Sequence, residues 1–169
     1  DDHVLLEAPH EVRAALDGGI GEHSGRLLER RRRQPRVRGE RGLGDSHELG
    51  PAFGGPQESF RWNTHGYPFD LAKWHYHPEY ELHLIQHTTG KMFIGDYVGS
   101  FAPGSLVLTG PNLPHNWVSD IASGEYVRNR DMLVQFKDSF VRDAMAMWPE
   151  VKEIEPLLRD ARYGIEFHG

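Results

Sequence analysis

The sequence predicts an all-β fold, a sandwich or a barrel, for the part of the chain between residues 57 and 136. This part is a series of short alternating or apolar stretches, among them SFRWNTHGY, YELHLIQH, KMFIG, YVGSF, SLVLTG and YVRNRDMLVQF. Turn residues separate these stretches at intervals of about 8–12 residues, a spacing typical of strands in antiparallel all-β proteins. An α/β protein would instead alternate strands with longer stretches of helical periodicity.

Residues 1–56 are predicted to be a poorly ordered N-terminal tail. Phe53 is their single Phe, Trp or Tyr residue, they contain no lysine, and four consecutive arginines occupy positions 30–33. Such a segment buries too little apolar surface to offset the conformational entropy that ordering would cost. The arginine row is compatible with a nucleic-acid contact or with a solvated segment, and the acidic neighbours Glu29 and Glu40 favour the second.

The periodicity changes after the last predicted strand, and residues 138–169 are predicted to form two short helices. One face of the first helix would carry the apolar residues Phe140, Val141, Ala144, Met145 and Trp148. This helix should begin near Asp138, and a second should run from Pro156, which a first helical turn tolerates, to Gly164. We therefore expect a barrel over residues 57–137 with these helices packed on it.

Length, composition and charge limit the domain number and exclude or disfavour several kinds of site. The chain has 169 residues, enough for one domain with a tail, and it has no cysteine, which excludes disulfides and thiolate metal sites. The sequence contains no apolar run long enough to span a membrane. Its first residues also lack the basic segment followed by an apolar segment that is typical of a signal peptide, so we expect a cytoplasmic protein. Residues 57–169 carry ten basic and fifteen acidic residues, a net charge of −5, which disfavours a DNA-binding surface there.

The stretch WHYHPEYELH concentrates residue types that ligate metals. His75 and His77 are two positions apart, so in a strand both side chains project from the same face. Pro78 predicts a turn, because proline cannot donate to a sheet ladder. Glu81 would then return beside the two histidines, with its side chain on the same face as that of His83.

A fourth ligand is expected from a distant part of the chain. His115 follows the proline-rich turn GPNLP and opens a predicted strand, which makes it the candidate. The predicted metal site therefore consists of His75, His77, Glu81 and His115. Three imidazoles and one carboxylate suit zinc, nickel, iron or manganese, and the ligand types leave the choice among these metals open.

Aromatic residues near the predicted site are candidates for contacts with a small ligand. Trp62, Phe93 and Trp117 carry rings on which a sugar can stack, and His83 shares the face of Glu81. We therefore predict a ligand pocket lined by Trp62, His83, Phe93 and Trp117. The competing interpretation is that these aromatic residues belong to the hydrophobic core, which is the more frequent case.

The same stretches resemble the two motifs of the cupin family. The spacing His75-x-His77-x-x-x-Glu81 resembles the first motif, and GSFAPGSLVLTGPNLPH, which ends at His115, resembles the second. The longer phrases WHYHPEYEL and IGDYVGSFAPGSLVLTGPNLPHNW are similar to the sensor domains of AraC-type transcription regulators. The resemblance covers about residues 57–169.

The resemblance implies a double-stranded β-helix, the cupin barrel, which senses a small molecule such as a sugar and contains no catalytic residue. It also implies a homodimer that binds DNA only through a C-terminal helix-turn-helix domain, which we expect to lie outside this chain. Two alternatives stay open. One is a stand-alone metal-dependent cupin enzyme of the dioxygenase or isomerase type, and the other is a sugar-binding cupin.

Overall fold

The computed structural model describes residues 25–27, 47–48, 58–69 and 73–168, which form two mainly antiparallel β-sheets. The strands are β1 Gly25–Leu27, β2 His47–Glu48, β3 Phe60–Tyr67, β4 His75–Tyr76, β5 Tyr80–Ile85, β6 Gly90–Ile94, β7 Tyr97–Phe101, β8 Leu106–Thr109, β9 His115–Ser119, β10 Val127–Phe136 and β11 Ile165–Phe167. One sheet has six strands in the order β1-β11-β8-β5-β10-β3, and the other has five in the order β2-β4-β9-β6-β7. Most neighbouring strands are therefore distant in sequence, as in a double-stranded β-helix, and the predicted fold class is confirmed.

Alternation along the strands decides which residues lie between the two sheets. On β5 the side chains of Glu81, His83 and Ile85 are buried and point inward, whereas those of Leu82 and Leu84 are half-buried on the outer face. Directly opposed residues on neighbouring strands share a face. The partners of β5 on β8 and β10 therefore extend the same inner surface.

The apolar part of the core lies at one end of the space between the sheets. The buried residues that pack together there are Ile85, Met92, Ile94, Phe101, Val107 and Trp117. Ile85 and Val107 come from the six-stranded sheet, and the others come from the five-stranded sheet. The other end of the inner surface is polar. On β5 the buried residues Glu81 and His83 precede Ile85, and on β8 the buried Thr109 follows Val107.

Two short helices cover part of the outer face of the six-stranded sheet. They are α1, Asp138–Met147, and α2, Glu155–Asp160, connected by the 3-10 helix Pro149–Ile154. Their apolar residues join outer-face residues of the sheet in a second buried cluster that includes Tyr80, Leu108, Val141, Leu158, Ala161 and Ile165. The packing of Val141 and Met145 on the sheet is as the apolar periodicity predicts, but Phe140 and Trp148, which were predicted on the same face, are exposed in the structure.

Gly110 allows the helical layer to approach the end of β8 closely. Its N–H donates a hydrogen bond to the carbonyl of Ala161 at 2.8 Å. A Cβ atom at this position would lie 2.9 Å from the backbone carbon of Ala161, closer than real contacts permit. The hydrogen bond thus holds the segment between β8 and β9 against the helical layer. The close approach requires glycine at position 110.

Two short strands fall within the predicted tail. β1 pairs with β11 at the edge of the six-stranded sheet, and β2 pairs in parallel with β4 in the five-stranded sheet. The remainder of residues 1–57 lies outside the described residues, so the predicted tail, and with it the predicted division of the chain, stays a prediction. Among the described residues no helix is long and apolar enough to cross a membrane.

Candidate functional site

Three histidines converge at the polar end of the space between the sheets. His75 lies on β4, His77 follows that strand directly, and His115 is the first residue of β9. One potential ligand atom of each lies within 4.8 Å of the others. The ring centroids are 4.4 Å apart for His75 and His115 and 5.1 Å apart for His77 and His115. His77 and His115 are buried and His75 is half-buried, so the cluster is largely shielded from solvent.

Backbone carbonyls hold two of the three rings in one tautomer. Nδ1 of His75 lies 2.6 Å from the carbonyl oxygen of Lys73, and Nδ1 of His115 lies 2.7 Å from that of Leu113. A carbonyl only accepts hydrogen bonds, so each Nδ1 must carry the proton. In the neutral ring the lone pair is then on Nε2, where it is free to bind a metal ion.

The electrostatics of His115 favour a neutral imidazole. Burial, together with the nearby rings of His75 and His77, lowers the pKa of His115 to about 3 despite the opposing charge of Glu81. Its Nε2 atom is buried and has no hydrogen-bond partner among the described residues. A buried polar atom normally has a hydrogen-bond partner, and a bound cation would satisfy the lone pair of this nitrogen.

Glu81 joins the three histidines from β5, as its spacing predicts. Its carboxylate oxygens lie 3.1 Å from Nε2 of His77 and 3.7 Å from Nε2 of His115. Burial alone would raise the pKa of Glu81, but hydrogen bonds from His77 and His83 hold it well below its usual value. The carboxyl group is therefore ionised. The structure thus brings together all four predicted ligands, and the set of three nitrogens and one carboxylate fits a divalent transition metal.

Gln135 is a member of this site that the sequence did not indicate. It lies on β10 directly opposite Glu81, and its side-chain amide donates a hydrogen bond to a Glu81 oxygen at 2.9 Å. The same amide nitrogen is 3.3 Å from Nε2 of His77. Residue type alone could not identify Gln135, because only the pairing of β5 with β10 places it beside the carboxylate.

His83 lies next to Glu81 but outside the metal-ligand set. Its Nδ1 is 2.9 Å from one Glu81 oxygen, and its Nε2 is 3.3 Å from an oxygen of Asp131. Burial alone would lower the pKa of His83, but the hydrogen bonds to Asp131 and Glu81 raise it to about 9. His83 is therefore a buried imidazolium between two carboxylates, and its ring stacks on that of Trp117 with centroids 3.9 Å apart.

A buried ion pair extends this polar network away from the histidine cluster. Asp131 accepts a hydrogen bond of 2.6 Å from Nε of Arg130, and both side chains are at most 4% exposed. His65 on β3 places Nδ1 3.3 Å from the second Asp131 oxygen. Neither Arg130 nor Asp131 was a candidate from sequence, since charged residues on a strand are normally solvated.

The four predicted pocket residues do not lie together. Trp117 is buried between the sheets, and its ring centroid is 5.2 Å from that of His115, so Trp117 and His83 do border the histidine cluster. Trp62 lies on β3 beside Val134 of β10, on the outer face of the six-stranded sheet, and its side chain is 41% exposed. Phe93 lies between the inward-facing Met92 and Ile94 on β6 and so points to the other side of its sheet. The structure does not bring Trp62 and Phe93 to the cluster.

Comparison with known proteins gives limited similarity. The chain matches no family model and no curated protein. It is similar to a solved structure of ToxT from Vibrio cholerae O395 bound to (E)-4-(8-methylnaphthalen-1-yl)but-3-enoic acid, with 18% identity and a TM-score of 0.37 over 53% of this chain. A second ToxT structure, also from Vibrio cholerae, shows 18% identity and a TM-score of 0.39 over 59% of this chain. The matches cover 35% and 39% of the two ToxT chains, respectively.

A cupin 2 conserved barrel domain protein from Rhodopseudomonas palustris is also similar. Its identity is 13% and its TM-score 0.34, with 60% of this chain and 73% of that chain covered. These identities and TM-scores are too low to assign a family or a ligand. The geometry of the histidine cluster therefore remains the main guide to function.

Proposed function

We propose that His75, His77, His115 and Glu81 bind a divalent transition-metal ion. The observation that carries this proposal is the convergence of three shielded imidazoles, of which backbone carbonyls hold two in the tautomer that leaves Nε2 free. Such a preorganised donor set needs little rearrangement to bind an ion. A metal bound here would supply a centre on which a small molecule with oxygen donors can be held.

The donor types limit the choice of metal. Imidazole nitrogens suit zinc, nickel, copper and iron, whereas magnesium and calcium prefer sites made of oxygen ligands. The ionised carboxylate of Glu81 would offset part of the charge of a buried cation. Of the four metals predicted from the sequence, zinc, nickel and iron suit this donor set better than manganese, which should bind most weakly.

We further propose that the barrel is the small-molecule sensor half of a cytoplasmic AraC-type regulator and not an enzyme. The sequence phrases around His75 and His115 support the regulator assignment. The contacts of the two nearest acid-base candidates support a non-catalytic site. Glu79 faces Nδ1 of His77, whose other nitrogen faces Glu81, and His83 is held between Glu81 and Asp131. A sugar ligand and a homodimer remain predictions from the resemblance.

A calorimetric titration tests the metal site. The full chain without an affinity tag is stripped with a chelator and titrated with zinc, nickel, manganese and, under anaerobic conditions, iron(II). We expect one ion to bind per chain. A His75→Ala/His115→Ala double variant should lose this binding, and a matched His87→Ala/His168→Ala variant, which changes two exposed histidines, should keep it. Equal binding by both variants would refute the site.

The regulator proposal is tested separately from the metal site. Translation of the coding DNA beyond Gly169 should reveal a helix-turn-helix domain, and a chain that includes it should select DNA from the region upstream of its own gene. The chain of residues 1–169 should show no sequence-selective shift of the same duplex, because residues 57–169 are acidic and the two α-helices of the described residues pack on the sheet. Metal-dependent oxygen consumption or isomerisation of small molecules by this chain would favour the enzyme alternative.

A further inference from the structure

The turn between β8 and β9 has a backbone conformation that few residue types adopt. It consists of Gly110, Pro111, Asn112 and Leu113, and the N–H of Leu113 donates a hydrogen bond of 3.2 Å to the carbonyl of Gly110. Asn112 has a φ of 59°, in the left-handed region. Proline at the second position and a residue with positive φ at the third are features of a type II turn, which favours glycine or asparagine at that third position.

This turn holds the backbone of one proposed metal ligand. The N–H of Asn112 donates a hydrogen bond of 2.7 Å to the carbonyl of His77. The strand pairs of β4 end at Tyr76, and Pro78, which follows His77, has no N–H to donate. The hydrogen bond from Asn112 therefore fixes a part of the backbone that the pairing of β4 does not reach.

The next residue of the turn holds the side chain of a second proposed ligand. The carbonyl oxygen of Leu113 lies 2.7 Å from Nδ1 of His115. The turn is itself anchored beyond this point, because the carbonyl of Pro114 accepts a hydrogen bond of 2.8 Å from the N–H of Gly95. Backbone atoms of two consecutive turn residues thus support His77 and His115, which come from distant parts of the sequence.

We propose that Asn112 is a positioning residue whose left-handed backbone directs the turn so that His77 and His115 face one metal ion. This inference rests on the proposed metal site. The two rings have centroids 5.1 Å apart, and zinc–nitrogen bonds are only about 2.0–2.1 Å long, so a shift of about 1 Å in either support should weaken binding. The side chain of Asn112 is exposed, and the position requires only a residue that tolerates a positive φ.

Asn129 offers a matched control in the same chain. It is also an exposed asparagine with a positive φ, 50°, and it lies at the irregularity of β10 between Val127 and Asp131. Asn129 is six residues before Gln135, which borders the histidine cluster, and six residues of extended strand span about 20 Å. A change there should strain the backbone without moving the turn that supports the histidines.

The test compares Asn112→Val and Asn112→Gly with Asn129→Val and Asn129→Gly. A positive φ is unfavourable for a β-branched residue and is readily adopted by glycine, so both valine variants should be less stable than the wild type in urea unfolding with chelator. Zinc affinity should fall about 10–100-fold in Asn112→Val alone and should return to the wild-type value in Asn112→Gly. If Asn112→Val does not fold, Asn112→Ala and Asn129→Ala replace the valine pair.

Two spectroscopic measurements report on the position of the histidines. The visible absorption of bound cobalt(II), which depends on coordination geometry, should change in Asn112→Val and match the wild type in Asn129→Val. In NMR spectra of the metal-free protein, the nuclear Overhauser effect between the rings of His77 and His115 should weaken in Asn112→Val and persist in Asn129→Val. A purely structural role of Asn112 would alter neither measurement.

Two results would overturn the inference. One is an Asn112→Val protein that keeps the ring contact and binds zinc within about twofold of the wild type. The other is an equal loss of zinc affinity in Asn129→Val or in Asn112→Gly, which would attribute the loss to lower stability or to the asparagine side chain, respectively. Failure of the wild type to bind zinc would count against the proposed function instead, and the ring contact in the metal-free variants would still decide the role of Asn112.

Discussion

His75 and His115 lie directly opposite each other on the paired strands β4 and β9, and their rings meet edge to face with centroids 4.4 Å apart. This pairing joins the two distant sequence stretches from which the metal site was predicted. It also makes the site dependent on both strands, because each of them supplies one of the three imidazole donors.

The first prediction concerns stabilisation by metal. An ion that binds only the folded state at 100 times its dissociation constant should raise the free energy of unfolding by about 2.7 kcal/mol. His115→Ala should lose this increment, because it removes a buried donor, whereas His87→Ala should retain it, because His87 is exposed. Urea unfolding with zinc and with excess chelator measures the difference. An undiminished zinc effect in His115→Ala would contradict the ligand assignment.

The second prediction concerns Gln135, which donates a hydrogen bond to Glu81. Gln135→Met keeps the approximate shape of the side chain but removes the donor from an ionised, buried carboxylate. We expect the metal-free protein to lose about 1–2 kcal/mol of unfolding free energy, since Glu81 retains its contacts with His77 and His83. Gln86→Met, at another half-buried glutamine, is the control in the same urea titrations. Equal stability of the two variants would show that the Gln135 hydrogen bond contributes nothing.

The third prediction is a stability maximum close to neutral pH in the presence of chelator. The pKa of His83 rises from 6.5 to about 9 in the folded state, so its contribution is complete below pH 6.5 and is lost as the pH rises towards 9. The contribution should not exceed roughly 4 kcal/mol. His83→Gln should therefore flatten the alkaline side of a stability profile measured by urea unfolding. An unchanged alkaline slope would show that His83 is not protonated in the folded protein.

On the acid side of the same profile the free energy of unfolding should change with pH in the opposite direction. Burial lowers the pKa of His115 from 6.5 to about 3, so the unfolded chain binds a proton that the folded protein excludes over this range. The depressed pKa values of Glu81 and Asp131 act in the same direction, because their stabilising contacts are lost as these carboxylates become protonated. The free energy of unfolding should thus fall as the pH decreases from 6.5.

The fourth prediction tests the apolar core. Met92 is fully buried between the sheets, whereas Met147 at the end of α1 is 66% exposed. Met92→Ala should cost about 2–5 kcal/mol of unfolding free energy, because it removes buried methylene groups and leaves a cavity. Met147→Ala should change stability by less than about 0.5 kcal/mol. Similar unfolding midpoints for the two variants would contradict the placement of Met92 in the core.

The sequence by itself determined the features that depend on neighbouring residues. Strand periodicity and turn residues predicted the all-β fold, apolar periodicity predicted the helix that begins at Asp138, and the two-residue spacing placed His75 and His77 on one side of the chain. These predictions succeed because each depends on the local geometry of a strand or a helix. The position of His115, after a proline-rich turn and at the start of a predicted strand, made it the candidate for a fourth ligand, and the motif resemblance agreed with this choice.

Only the tertiary structure decided which faces meet. The pairing of β10 with β5 and β3 placed Gln135 against Glu81 and Asp131 between His83 and His65. Strand pairing also placed Trp62 on the outer face of its sheet, where a pocket residue was predicted. Alternation along a strand shows which residues share a face, but the register with distant strands and the burial of one face decide whether that face points inward. Those long-range pairings, and not the local pattern, surround the histidine cluster with its charged partners.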